Sequence, residues 1–526
     1  MDRRTLLAIV LCFLIFLGWQ KLVIEPSTPK SQTTAAHATR AETSGSVKSP
    51  QDTKSTIRQE PVKQASRPHE TKSISTSTGT ATIGDSAKFI TGWDLKSYRL
   101  GMGQDAKPVG LESVTHQESQ VELAFDSPDF AYLSTVQGQL ESRNGEITWT
   151  YEDDRVRLRR EFKVTPEQPY FDMLVSAEFK SAKPGYVFLS LAAKATTDDA
   201  EAQDRQFLYF SENALERENI TDVSAVTQVK MPVKWIGATS RYFLLSIVDR
   251  GVNPTGLMQS LGAGSGRMSL VYPVSGNSVQ VPVRVYFGPK DLDVLRAAEP
   301  TLDHAVDLGW FTVVAYPILK LMKWLYSFMH NYGLAIIVLT VFIKILTYPL
   351  TYKSMKSMKD MAKIQPQLQR LKEKYKDDRE ALNREMMTLM KTHGYNPVAG
   401  CFPILIQMPV FFALYRVLYS SIELYQAPFA FWIHDLAAKD PYYVTPVILT
   451  ATMFFQQKLT PNTATDPVQK RMIQFMPIMF GAFMLALPSG LTIYMLTNAI
   501  ASIIQQIILN KKLDITHATP ITAGAR

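Results

Sequence analysis

The sequence predicts a multi-pass α-helical membrane protein that carries a large exported β-sandwich. Three observations predict it. After residue 309, the chain of 526 residues runs through long, almost purely apolar stretches. Between about residues 87 and 300, apolar side chains recur with period two and turn signals separate the runs. Lys and Arg give a net charge of +8, and they cluster beside the apolar stretches, as in the cytoplasmic loops of membrane proteins, instead of marking a nucleic-acid surface. The two cysteines, Cys12 and Cys401, both lie in apolar runs, which excludes a disulfide framework and a Cys-based zinc site.

Arg3 and Arg4 precede an apolar run over residues 6–19. The run continues through Trp19, Gln20 and Lys21, where a cleavage site needs small residues. Residues 1–24 therefore read as an uncleaved signal anchor with a cytoplasmic N-terminus, a cleaved signal peptide being the competing reading. Residues 25–85 are Ser, Thr, Gln, Ala and Lys with scattered Pro, which predicts a flexible tether outside the membrane.

Residues 86–308 carry the β pattern. Phe171, Met173, Val175, Ala177 and Phe179 alternate with more polar neighbours, as do Val279, Val281, Val283, Val285 and Phe287. Breakers such as Lys183-Pro184-Gly185 and Ser275-Gly276-Asn277 separate the runs. Many half-buried strands with such turns predict a sandwich with its own core. Only His116 and His304 lie between residues 87 and 308. A lone His is far more often structural than catalytic, so no enzyme is predicted.

Residues 309–331 are rich in aromatics, with Lys320 and Lys323 inside the run, which suits an amphipathic helix lying in the membrane interface. A further span is the competing reading, and Pro317 predicts a kink. Five spans follow, at 332–351, 397–420, 443–459, 472–488 and 489–510. With the anchor they make six. The segment at 352–396 holds eleven basic against six acidic side chains and is assigned to the cytoplasm, as are the 460–471 loop and the 511–526 tail. The 421–442 loop, with Lys439 facing Glu423, Asp435 and Asp440, falls outside.

Within 352–396, Ile364, Leu368 and Leu371 on one stretch and Leu382, Met386 and Leu389 on the next step by three and four residues. That predicts an antiparallel helical hairpin with a coiled-coil seam, with Pro366 at a helix start or kink. It reads either as a packed loop or as a docking arm for client chains.

Lys344 is the informative residue. A Lys near mid-depth costs about 2.5–3.5 kcal/mol on insertion scales and must face water, an anion or a polar cavity. Thr340 and Thr347 share its helix face. Polar residues recur in the other spans: Gln407, Gln456, Gln457, Gln474, Thr492, Tyr494, Thr497, Asn498, Ser502 and Gln505. The spans hold no acidic residue to neutralise it. A wet groove with one positive charge is the simplest solution, and snorkelling of Lys344 to the cytoplasmic face is the competing one. No phosphate loop, paired carboxylates or metal cluster is visible, so neither a metal nor a cofactor is predicted.

Several stretches carry a resemblance. They are Asn396-Pro397, Gly400-Cys401-Phe402-Pro403, and Ile406-Gln407-Met408-Pro409 with the residues on to Tyr415. Others are Ala427-Pro428-Phe429-Ala430-Phe431-Trp432-Ile433-His434-Asp435-Leu436, Asp440-Pro441-Tyr442-Tyr443 and Pro488-Ser489-Gly490-Leu491. In these the chain resembles the Gram-negative form of the YidC/Oxa family of membrane protein insertases. The resemblance covers 309–510, and the anchor, tether and β domain match in order and size. It implies a five-span insertase core and a periplasmic β-supersandwich of galactose-mutarotase-like shape in the bacterial inner membrane. It also implies binding of hydrophobic segments of nascent membrane proteins and their release into the bilayer. The implied partners are those nascent chains, the Sec translocon with its accessory subunits, the ribosome and the lipid bilayer, with no nucleic acid as a primary ligand. Taken with the polar residues above, the expected substrate groove comprises Lys344, Thr340, Thr347, Gln407, Thr492, Tyr494, Met495 and Asn498. Lys344 stands where this branch usually carries Arg, and Met495 follows Tyr494 where the family often pairs two Tyr. The tail after Lys512 is short and less basic than in many members. A solute transporter or channel is the competing class, and a sugar-binding receptor with a membrane base is a third.

Overall fold

The computed structural model describes residues 69–518 except 87–88, 104, 116–120, 144, 196–203, 224–225, 263, 376–377, 393–401 and 460–466. The predicted anchor, most of the tether and the Asn396-Pro397 motif lie outside the described residues. Everything described from Thr71 onward belongs to one compact unit.

Two antiparallel sheets build the β domain. β1 (Thr71–Ser75), β2 (Gly79–Gly84), β3 (Ile90–Arg99) and β4 (Pro108–Gly110) form the smaller one. Thirteen strands, from β5 (Val121–Phe125) to β17 (Ser278–Pro289), form the larger. Its centre runs β13 (Thr227–Thr239), β14 (Phe243–Asp249), β17, β9 (Tyr170–Phe179), β8 (Val156–Val164). The alternation read from the sequence is realised: Phe171, Met173, Val175, Ala177 and Phe179 of β9 all point into the core. Trp93 of β3 stacks on Phe171 at 5.1 Å and meets Phe287 of β17 edge-on at 5.8 Å, so the two sheets close on one another as a sandwich.

The predicted tether ends too late. β1 and β2 fall inside it, with Ile74, Ala81 and Ile83 buried. Composition misled here. The Ser and Thr that suggest a linker sit alternately with those three apolar residues, and β-branched Thr suits a pleated, half-buried surface.

β14 is buried along its whole length because both faces are covered. Leu245 and Ile247 join the sandwich core, while Leu244 and Val248 face a second cluster with Leu295, Ala298 and Leu302. Those last residues belong to the exit segment, which contains α2 (Leu292–Ala298); a short α1 (Leu111–Thr115) lies earlier. The Asp291 carboxylate caps α2 by accepting from the Asp293 and Val294 amides at 2.8 and 3.1 Å.

The remaining helices are α3 (Thr312–Met329), α4 (Tyr332–Lys374), α5 (Arg379–Thr392), α6 (Phe402–Ser420), α7 (Val444–Leu459), α8 (Pro467–Met484) and α9 (Ser489–Ala518). α3 buries Ala315, Ile318, Leu319, Met322 and Leu325 along one stripe and leaves Val313, Trp324 and Phe328 exposed. It continues through Pro317, since the ring removes one backbone bond and neighbouring packing holds the rest. No helix starts at Pro366, and the span and the first arm of the hairpin are one helix: α4 runs unbroken for 43 residues, through Pro349 and Pro366. Strong helix formers on both sides of Pro366, among them Gln365, Gln367, Leu368 and Gln369, carry the backbone past it. α8 begins five residues before the predicted span, and α9 runs on to Ala518. Segments 332–353 and 489–511 are long and apolar enough to cross a membrane, and shorter apolar helices cover 408–420 and 471–484. α9 packs between α4 and α7, α8 lies on α7, and α3 packs on α4 and α6.

Candidate functional site

Lys344 lies twelve residues into α4, about 18 Å of helix rise from Tyr332. It is half-buried, and its ammonium donates to the Ser502 hydroxyl of α9 at 2.8 Å. That hydroxyl in turn donates to the Asn498 carbonyl at 2.7 Å. Among the described residues no carboxylate pairs with Lys344. One turn beyond Ser502, the amide nitrogen of buried Gln505 has no hydrogen-bond partner among the described residues. Asn498, Ser502 and Gln505 are spaced by four and three residues and therefore form one polar stripe along α9.

The other predicted groove residues divide. Thr347, Met495 and Asn498 are partly exposed, and the Thr347 hydroxyl donates to the Ile343 carbonyl at 2.9 Å. Thr340 and Thr492 are fully buried and direct their hydroxyls to Ile336 and Pro488 of their own chain segments, at 2.6 and 3.3 Å. Tyr494 is buried in the helix core beside Leu491 and Ile493. The side chain of Gln407 lies outside the described residues. Ser502 and Gln505 were visible in the sequence as polar residues of the last span, and the four-then-three spacing from Asn498 is the signal that singles them out.

The hairpin is present as an α4–α5 pair. Tyr375 ends α4 by donating its amide to Leu371, and Asp378 opens α5 by accepting from the Ala381 amide at 2.9 Å. Leu368 is buried, and Leu371, Leu382, Met386 and Leu389 are half-buried. Leu371 and Leu389 line a shared surface recess with Gln367 and Glu385. The side chain of Ile364 lies outside the described residues.

A polar clasp that the sequence did not reveal joins the helices to the β domain. Lys323 of α3 donates to Asp293 at 2.6 Å and Asp291 at 3.1 Å and lies 3.7 Å from Glu423. Burial opposes its charge, but the hydrogen bond it donates to Asp293 and the nearby Asp291 and Glu423 carboxylates hold the Lys323 amine well above the ordinary lysine range. Burial pushes the Glu423 carboxyl up. Ile422 enters the sandwich core, and Tyr425 packs against Tyr98, Tyr242 and Phe243 while donating to the Arg99 carbonyl at 2.7 Å.

With this geometry in place, two family profiles match. One, described as the YidC periplasmic domain, covers residues 72–321, and one described as 60Kd inner membrane protein covers 324–516. The membrane protein insertase YidC of Geobacter metallireducens is 36% identical over 98% of this chain and all of that one. The chain belongs to the YidC family of membrane protein insertases. The YidC of Geotalea daltonii is 53% identical over 45% of each chain. A solved structure titled as an active YidC insertase with its first transmembrane domain resolved is 18% identical, spanning 86% of this chain and 94% of that one, at a TM-score of 0.35. The profile boundary at 72 agrees with β1 at Thr71, and it assigns to the YidC periplasmic domain the two strands that composition had placed in the tether.

Proposed function

We propose that the chain receives hydrophobic segments of nascent inner-membrane proteins in a polar groove between α4 and α9 and releases them into the bilayer. Lys344 held by Ser502, with no carboxylate beside it among the described residues, carries the reading. A positive charge and the Asn498–Ser502–Gln505 stripe keep water within the membrane. They lower the cost of passing a client's short polar flank. The client's apolar segment then supplies the driving force by entering lipid, at about 25 cal/mol per Å² of apolar area. Thr347 and Met495 complete the exposed lining, and Thr340, Thr492 and Tyr494 support it from behind.

The chain works as a six-span protein of the bacterial inner membrane, with both termini cytoplasmic and the β domain periplasmic. The basic 352–396 segment and the alternation of Lys/Arg-rich loops support that topology. The Sec translocon and the ribosome are its proposed partners, and the α4–α5 hairpin is its client-docking arm. No catalytic step is assigned. The relatives are named insertases, and no observation favours a transporter or channel.

A photoreactive probe at Asn498 tests the reading. A stalled nascent membrane protein should crosslink there, and a stalled soluble chain should not. Equal labelling of both, or labelling only at the outer face of α9, would refute the groove.

A further inference from the structure

Two contacts fasten α8 to α7, one on each side of a proline. α8 packs chiefly on α7. Ile473, Pro477 and Gly481 are spaced by four residues and lie on one face of α8, while Thr450 and Gln457, seven apart, lie on one face of α7. The two faces meet in antiparallel order. At the first contact, a Cβ on Gly481 would fall 1.9 Å from Thr450 Oγ1, so the missing side chain lets the helices approach. At the second, the Gln457 side-chain amide donates to the Ile473 carbonyl at 2.5 Å.

That bond answers a defect built into the sequence. In an α-helix the carbonyl of residue 473 accepts from the amide of residue 477, but Pro477 has no amide proton. A carbonyl left open in hydrocarbon is costly, so a donor from the neighbouring helix replaces the missing one. Little else holds the turn before Pro477. Over residues 471–476 only Ile473 is half-buried and the rest are exposed, whereas Pro477, Gly481 and Met484 are buried. We propose that Gln457 is a positioning residue for insertion. Its amide latches the first turns of α8 to α7, and release of that one bond lets them swing about Pro477 while the rest of α8 stays seated at Gly481. The swing carries exposed Met472, Phe475 and Met476 with it and opens the α7–α8 side to an entering apolar segment. The latch rests on α8 crossing the membrane and makes no use of the Lys344 groove.

A mutant cycle on the full chain in detergent tests it, read by thermal unfolding and by tryptic cleavage after Arg471. Gln457→Met keeps the bulk and removes the donor. It should lower the midpoint by several degrees and speed the cleavage about tenfold. Pro477→Ala returns an amide to position 477. In that background, Gln457→Met should change each readout by no more than about a third as much. Equal effects in the two backgrounds would overturn the latch and make Gln457 a packing residue. Should Gln457→Met fail to accumulate, recovery on adding Pro477→Ala supports the latch, and failure in both backgrounds overturns it. Pro477→Ala alone should slow insertion into vesicles severalfold without lowering the midpoint, and an unchanged insertion rate would overturn the swing. Failure of clients to crosslink at Asn498, with the coupling of Gln457 to Pro477 intact, would sink the groove and leave the latch standing.

Discussion

The Lys344 ammonium donates to the Ser502 hydroxyl at 2.8 Å across the α4–α9 contact. One hydroxyl cannot satisfy three ammonium protons, so two remain for water or a client carboxylate.

Lys344→Arg should therefore retain insertion, and Lys344→Ala or Lys344→Glu should impair it for clients with acidic translocated flanks, by roughly tenfold if half the cost of burying a Lys is at stake. Lys344→Ala should also raise the thermal midpoint, because it removes a charge from an apolar span. Ser502→Ala, which keeps the charge, should have the milder effect. Insertion rates into vesicles, measured beside unfolding, decide this, and full complementation by Lys344→Glu would sink it.

Deleting most of residues 30–280 should leave insertion largely intact while the 309–331 helix remains. The helices keep a core of their own, built from α3, α4, α6 and α9. The variant should be less stable, because Ile422 and Tyr425 lose their partners in the sandwich. An insertion defect as severe as a full knockout, at normal protein level, contradicts this.

Leu371→Asp places a carboxylate against Leu389 in the hairpin seam, at a cost of about 1–3 kcal/mol. The arm gains little helix stability by itself, so it should open. Limited proteolysis should cleave it faster, and client capture should slow while the membrane core stays folded. Unchanged cleavage and insertion would reduce the segment to a solvated connector.

Gly333→Ala tests the seat of the 421–442 loop. A Cβ there would fall 2.0 Å from Phe429 Cδ2, so the ring must move. The Phe429 carbonyl accepts from the Asn331 amide at 2.8 Å, which limits that movement. The expected loss is about 1–3 kcal/mol. A midpoint unchanged from wild type would show that the loop yields freely.

Lys323→Met should leave Glu423, with 7% of its side chain exposed, facing Asp291 and Asp293 without a cation, at a cost of about 1–3 kcal/mol. The Lys323 amine titrates higher in the folded chain than in the unfolded one. Its contribution is therefore complete below the ordinary lysine value of about 10.4 and fades only as pH rises through the higher folded value. The difference between wild type and Lys323→Met should stay flat between about pH 6 and 9, as read from unfolding midpoints at several pH values.

The sequence disclosed what depends on periodicity and charge. β9 alternates as its residues do, and α7 begins within a residue of its predicted start. Lys344 was legible because a cation in an apolar run demands an explanation. Its partner was not, since Ser502 is one of several polar residues on α9 and only the helix pairing selects it. The clasp was illegible for the same reason. Lys323 read as an interfacial lysine and Ile422 as a loop residue, and their partners lie far away in the chain. β1 and β2 were missed because Ser and Thr serve linkers and strands alike.

The unbroken α4 has a mechanical consequence. Its 43 residues make a rod of about 65 Å, with Lys344 in one half and the hairpin tip at the other end. A tilt of about 5° at the membrane end would sweep that tip through roughly 6 Å, about the rise of one helical turn. Conversely, a load bearing on the tip acts through a long lever arm on the place where Lys344 meets Ser502, with no loop between them to absorb the motion.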